Sequence, residues 1–275
     1  MSIRMPPALS GAFVLPGAVV FALFFMLPLA VVLIEAVSDG GAAFARVWHD
    51  PVFWNGLRGS ILLGIAAPFF SLAVGVPVAI TLARMSAQMR TSLMIAISLP
   101  LTFSGLIVAY GFILLLGRAG FVTQLLAMVG FDAAVVGGFI FSPIGLGLAY
   151  SYYLVPRVVL IVLPAVRGFD MVQLRAARSL GAGPIRMLFD VLLPQIMPSL
   201  VAAFCLTAAV AVGAYGTALA LVGTQVNILP LVLYSKISET GTDMPSAAVI
   251  SIVLMAICGC VIALGEIVFS RSGTR

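Results

Sequence analysis

A chain of 275 residues that is 63% hydrophobic and 8% charged, with a mean hydropathy of +1.24, does not have a water-soluble composition; soluble domains carry about 25% charged residues. The net charge of +5 is spread over scattered arginines rather than gathered in a stripe. That excludes a nucleic-acid partner and leaves the charges as topology signals.

The apolar residues fall in runs long enough to cross a hydrocarbon core, which takes roughly 20 helical residues. The alternating segments of about ten residues that mark a membrane β-barrel are absent. The fold class is therefore all-α integral membrane, with six predicted spans: Ala12–Val37, Gly56–Ala83, Thr91–Leu116, Ile144–Pro164, Gln195–Val222 and Ala247–Phe269. Arg4 ahead of the first run and Ala36-Val37-Ser38 after it loosely resemble a signal peptide. The run is far longer than the 7–15 apolar residues of a signal core, so an uncleaved span is expected.

Basic residues orient the chain. With the N-terminus in the cytoplasm, Arg4, Arg84, Arg90, Arg167, Arg175, Arg178, Arg186, Arg271 and Arg275 lie on that side. Arg46, Arg58, Arg118 and Lys236 lie outside or at the outer rim, together with Asp39, Asp50, Asp132, Glu239 and Asp243. The positive-inside rule favours both termini in the cytoplasm, and an even number of spans agrees. The outer loops are too short for a folded domain, so residues 1–275 read as one membrane domain.

The loop from Arg167 to Pro194 has its own grammar. Asp170 and Gln173 suit a capping box, and Gly181 and Gly183 suit a helix end. Pro184 suits the first position of a second helix. There Ile185, Leu188, Phe189 and Leu192 recur at helical spacing on one apolar face, with Arg186 and Asp190 elsewhere. Two short helices are expected, with Pro194 marking entry into the fifth span. Such an element either presses an apolar ridge into a partner's groove or lies on lipid headgroups.

Leu174-Arg-Ala-Ala-Arg-Ser-Leu-Gly-Ala-Gly-Pro184, followed by Val191-Leu-Leu-Pro194, resembles the EAA loop of ABC-importer permeases of the type I fold. Ala176, Ala177, Gly181 and Leu193-Pro194 match in identity and spacing, while Arg175 stands where the family usually has Glu. The resemblance continues in Gly147-Leu-Ala-Tyr-Ser-Tyr-Tyr-Leu-Val-Pro-Arg157, in Gly213-Ala-Tyr-Gly216 and in Ile228-Leu-Pro-Leu-Val-Leu-Tyr234, covering about residues 55–270. It lies nearest the polyamine, 2-aminoethylphosphonate, thiamine and ferric iron permeases.

The resemblance implies a coupling helix that docks on a separate ATPase, with Ala176, Ala177, Gly181 and Pro194 as the coupling positions; Arg175, at the departing position, and Ile185, Leu188 and Phe189 of the apolar face complete the candidate set in this loop. It further implies a second permease subunit, with a different chain favoured over a self-copy. A periplasmic or lipid-anchored solute-binding protein and a bacterial inner-membrane location complete the expectation. ATP and magnesium would be bound by the partner ATPase, and no cofactor by this chain. The solute would be small and polar or charged.

Ionisable groups at bilayer depth are costly and point to function. Arg157, beside Pro156, either attracts an anionic solute, pairs with backbone freed by the proline, or snorkels to the interface. Tyr153, Tyr215 and Gly216 are the other candidate pathway residues, although tyrosines also anchor spans at the interface. Gly213 and Gly216 either bend the fifth span or pack it closely, and packing is favoured.

Cys205, Cys258 and Cys260 sit in apolar runs without metal-ligand spacing and read as small hydrophobes. The sole histidine, His49, has no companions for a metal or a triad. The sole lysine, Lys236, is not in a phosphate-binding loop, so the chain is not expected to be an enzyme. An ion-coupled secondary transporter would place acids or histidines in mid-membrane, and almost none occur. A non-transporting scaffold remains a further alternative.

Overall fold

The computed structural model describes residues 15–223, 226–238 and 243–272, all helix and connecting turns, with no strand among them. Arg4, the start of the first span at Ala12, Glu239 and Arg275 lie outside the described residues. Among the described residues six helical stretches are long and apolar enough to cross a membrane: Leu15–Ala36, Pro51–Arg84, Gly105–Met128, Pro143–Arg167, Pro184–Gly213 and Met244–Ile267. A helix is the expected answer to a solvent that cannot hydrogen-bond, because it satisfies the backbone within the segment.

Two spans differ from the sequence reading. The third was expected as one helix over Thr91–Leu116, but the chain tightens into a 3₁₀ turn over Leu99–Thr102 and restarts at Gly105. Pro100 carries no N–H to continue the ladder. Ser104 then caps the new helix, its Oγ accepting from the Ile107 amide at 3.4 Å.

The fifth was expected as Gln195–Val222. Its helix instead ends at Gly213, and a short helix begins at Gly216. Packing does not explain these glycines. A Cβ at Gly213 would meet open space, and one at Gly216 would make ordinary contact, 3.6 Å from the Leu106 nitrogen. The bend is what the structure contains.

The chain divides into two compact units, residues 1–53 with 233–253 and residues 54–232 with 254–275. In the first, the short helix Ala42–His49 is tied by ion pairs. Arg46 lies 2.8 Å from Asp39 and 3.1 Å from Asp243, and Lys236 lies 2.8 Å from Asp50.

The second unit is organised around the helix Pro143–Arg167, where Leu146, Ala149, Tyr150, Leu154, Val158 and Val162 are fully buried. Helices in lipid approach closely where side chains are small. A Cβ at Gly75 would stand only 2.7 Å from Val158 Cγ1, and one at Gly265 only 2.8 Å from Cys205 Cβ. Ser60 of the second span accepts from the buried Leu229 amide at 2.8 Å, capping the helix Leu229–Ser238.

Candidate functional site

Two places in the second unit collect the residues singled out above. The first is the loop 167–194. Asp170 Oδ1 accepts from the Val172 amide at 2.8 Å and starts the helix Met171–Ser179. The expected bond to Gln173 is replaced by this shorter-range cap. Gln173 is bonded instead through its side chain, Gln195 Nε2 donating to Gln173 Oε1.

The helix ends at Gly181, whose φ is +82°. The Ala182 amide donates to the Ala177 carbonyl and the Gly181 amide to the Arg178 carbonyl, both at 3.0 Å. This paired closure is the Schellman ending, and it places glycine in the left-handed position. The spacing from Ala177 to Gly181 is therefore set by how a helix stops.

The second short helix is not a separate element. Pro184–Arg186 runs through a π-helical stretch, Met187–Leu192, straight into the helix Leu193–Gly213. In an α-helix the Pro194 ring would clash with the Asp190 carbonyl, and the chain widens just there. Widening also breaks the predicted single apolar face, since 3.6-residue spacing no longer holds. Leu192 turns inward, 7% exposed, to pack with Phe169 and Ile196. Leu180, Ile185 and Phe189 stay outward at 88%, 72% and 57% exposure.

Leu188 is half-exposed and lines a cleft of about 470 Å³ with Arg84, Arg175, Arg178, Pro184, Met187 and Leu192. Among the described residues no carboxylate pairs with these three arginines. Ala176, Gly181 and Pro194 are exposed and Ala177 is half-buried. Arg84 was legible only as a topology charge, because its convergence with Arg175 and Arg178 joins segments distant in the chain.

The second place is a cavity of about 270 Å³ lined by Pro100, Leu101, Phe103, Gly105, Tyr153, Arg157, Val210, Gly213, Ala214, Gly216 and Thr217. It forms where the break before Gly105 faces the break after Gly213. Arg157 stands about 21 Å from one end of its helix and about 15 Å from the other, at 1.5 Å per residue. That is too deep to be a helix-end residue.

Pro156 frees the carbonyl of Tyr152, but Arg157 Nη1 donates to the next one, that of Tyr153, at 2.9 Å. The guanidinium carbon also lies 5.5 Å from the centre of the Tyr153 ring, within cation–π range. A charge at the centre of a span costs about 2.5–3.5 kcal/mol on insertion scales.

The tyrosines part company. Tyr150 is buried and donates to the Ala214 carbonyl at 2.8 Å, while Tyr152 meets Phe112 edge-on. Tyr153, 8% exposed, lines the cavity with a hydroxyl that has no bond of good geometry, beside the Thr217 side chain. Tyr215 does not line the cavity but packs against the buried cluster around Tyr150. Thr217, Gly105 and the 3₁₀ turn were not foreseen. The proline and serine within the third apolar run were the available signal.

Comparison with known proteins supplies the family. Residues 40–272 match the family described as binding-protein-dependent transport system inner membrane component. The chain belongs to that family. Among its relatives is the sulfate transport system permease protein CysW of Synechocystis, 25% identical over 99% of this chain and 98% of that one. The spermidine/putrescine permease PotB of Haemophilus influenzae is 30% identical over 76% of this chain and 72% of its own. The chloroplastic sulfate permease 2 of Chlamydomonas reinhardtii is 27% identical over 88% of this chain, which spans 64% of that longer protein.

The fold is shared with solved ABC transporters. A chain of the bacterial alginate transporter, crystallised with its alginate-bound periplasmic protein, superposes with a TM-score of 0.78 over 94% of this chain and 92% of its own, at 16% identity. A chain of the methionine transporter MetNI in an inward-facing conformation gives 0.62 over 81% and 98%, at 17% identity. The chain is thus a multi-pass transport permease rather than an enzyme.

Proposed function

We propose that this chain is one of two permease subunits of a bacterial ABC importer, coupled to separate ATPases through the loop 167–194. The observation that carries the coupling is the outward ridge of Leu180, Ile185 and Phe189, held by the Gly181 helix ending and anchored from below by Phe169 and Leu192. Large apolar side chains at 57–88% exposure beside a cleft of unpaired arginines suit a protein groove with an acidic rim.

The ATPases bind ATP and magnesium, a periplasmic or lipid-anchored binding protein delivers the solute, and the second permease is a different chain. Both termini lie in the cytoplasm. The solute is small and charged, a reading supported by relatives whose names divide between sulfate and polyamines.

The test is ATP-driven uptake in vesicles containing this chain, its partner permease, the ATPases and the binding protein. Cysteines at Ile185 and across the ATPase surface should cross-link. Uptake should require both ATP and the binding protein. Uptake driven by an ion gradient without ATP would overturn the reading.

A further inference from the structure

Resting on that reading, and deepening it to a substrate class, we propose that the cavity around Arg157 is a mid-membrane transit site for a small oxyanion. Its electrostatics have one sign. Among the described residues Arg157 is the single charged side chain lining it, and the sequence contains no Asp or Glu between Asp50 and Asp132, between Asp132 and Asp170, or between Asp190 and Glu239. The three wall segments therefore contribute no carboxylate. A polyamine would meet a fixed positive charge in a medium of low dielectric, where repulsion is weakly screened.

The remaining polar groups line the same space. Only one of the guanidinium's five N–H groups is engaged by the Tyr153 carbonyl. The others keep the fork geometry that matches sulfate, phosphonate or carboxylate. The Tyr153 hydroxyl is more than nine-tenths buried, and the neighbouring Thr217 side chain does not satisfy it with good geometry. Thr217, 1% exposed, brings a second hydroxyl against Gly105.

Gly105 opens the twelve-residue helix Gly105–Leu116, the first part of the stretch Gly105–Met128. Ser104 takes the Ile107 amide and its carbonyl takes that of Val108, so the Gly105 and Leu106 amides are left without intrahelical partners. A broken membrane helix presenting its positive end to a solute is a recognised way to hold an anion. Guanidinium, two hydroxyls and a helix start thus border one volume with no carboxylate among the described residues lining it.

The test uses the full-length chain in lipid nanodiscs and reads the unfolding midpoint during titration with sodium sulfate, sodium chloride or putrescine at matched ionic strength. Sulfate stabilises proteins generally by exclusion, so the decisive quantity is the difference between wild type and variants. Wild type should show a saturable sulfate-dependent rise absent with chloride and putrescine. Arg157→Gln should weaken the apparent affinity roughly ten-fold or more, the loss expected for a charged hydrogen bond. Tyr153→Phe removes one hydroxyl with little risk to folding and should weaken it by a smaller factor.

Equal responses in wild type and both variants, or a putrescine effect matching that of sulfate, overturn the proposal. Because this assay needs neither ATPase nor binding protein, its failure leaves the importer reading to the uptake experiment. Failed ATP-driven uptake leaves a saturable sulfate response standing.

Discussion

The hydroxyl of Tyr150, inside the fourth span, donates to the carbonyl of Ala214 at 2.8 Å, where the fifth-span helix breaks. The break frees backbone groups that lipid cannot satisfy, and a buried tyrosine supplies the missing partner. Tyr150 is therefore a support for the bend that opens the Arg157 cavity, while Tyr153, one turn along, faces the cavity itself.

Tyr150→Phe should leave the chain inserted but lower its stability by about 1–3 kcal/mol, the cost of an unsatisfied buried carbonyl. Thermal unfolding of the purified chain measures this. If the carbonyl is not held by the hydroxyl, the midpoint will not move. Uptake should fall more than stability alone explains, because the cavity wall at Ala214 loses its anchor.

Gly181 needs a positive φ of +82° but has open space where a Cβ would stand. Backbone conformation, not bulk, should therefore rank the substitutions. Gly181→Asn tolerates the left-handed region and should retain most ATPase association and uptake. Gly181→Val should lose most of both, having added about 1–2 kcal/mol of strain. Equal loss with Asn and Val, measured by co-purification of the ATPase, would point to a steric role.

Arg84, Arg175 and Arg178 share a cleft without a described carboxylate partner. The docked ATPase is expected to place acids there, so association should weaken steadily as ionic strength rises. Arg175→Glu should weaken it further at low salt and flatten the salt dependence. A complex indifferent to salt and to this reversal would remove the arginines from the interface.

Asp50 gives a pH dependence of known sign. Burial opposes its charge, but Lys236 and the Val52 amide outweigh that and hold its carboxyl below the ordinary value of 3.8. A depressed carboxylate stabilises the fold above its unfolded pKa and stops doing so as pH falls through the folded value. The pair should therefore be intact from neutrality down to about pH 4 and be lost below it. The pair is only partly buried, which limits the effect to about 1 kcal/mol. Asp50→Asn should abolish this part of the acid response, read from amide exchange in the helix Ala42–His49.

Much of this protein is local, and local features could be read from residues alone. A run of apolar residues in a non-hydrogen-bonding solvent becomes a helix whatever surrounds it, so the spans are legible from length and hydropathy. The ending at Gly181 is legible too, since one glycine and the carbonyls of the preceding turn define it. The breaks at Pro100 and Ala214 were less visible, because a proline or glycine inside a membrane helix bends it only where neighbours meet the freed backbone. The inward turn of Leu192 was hidden by the π-helical widening before Pro194, which ends the 3.6-residue rhythm that sequence patterns assume.

The cavity depended on tertiary structure throughout. Arg157 could be marked as an expensive charge, but whether it met lipid, backbone or a solute turned on which segments came to stand around it. Gly105, Tyr153 and Thr217 lie on three different helices. Electrostatic and hydrogen-bonding energies fall off with distance in space, not along the chain, so only packing could bring these donors to one point.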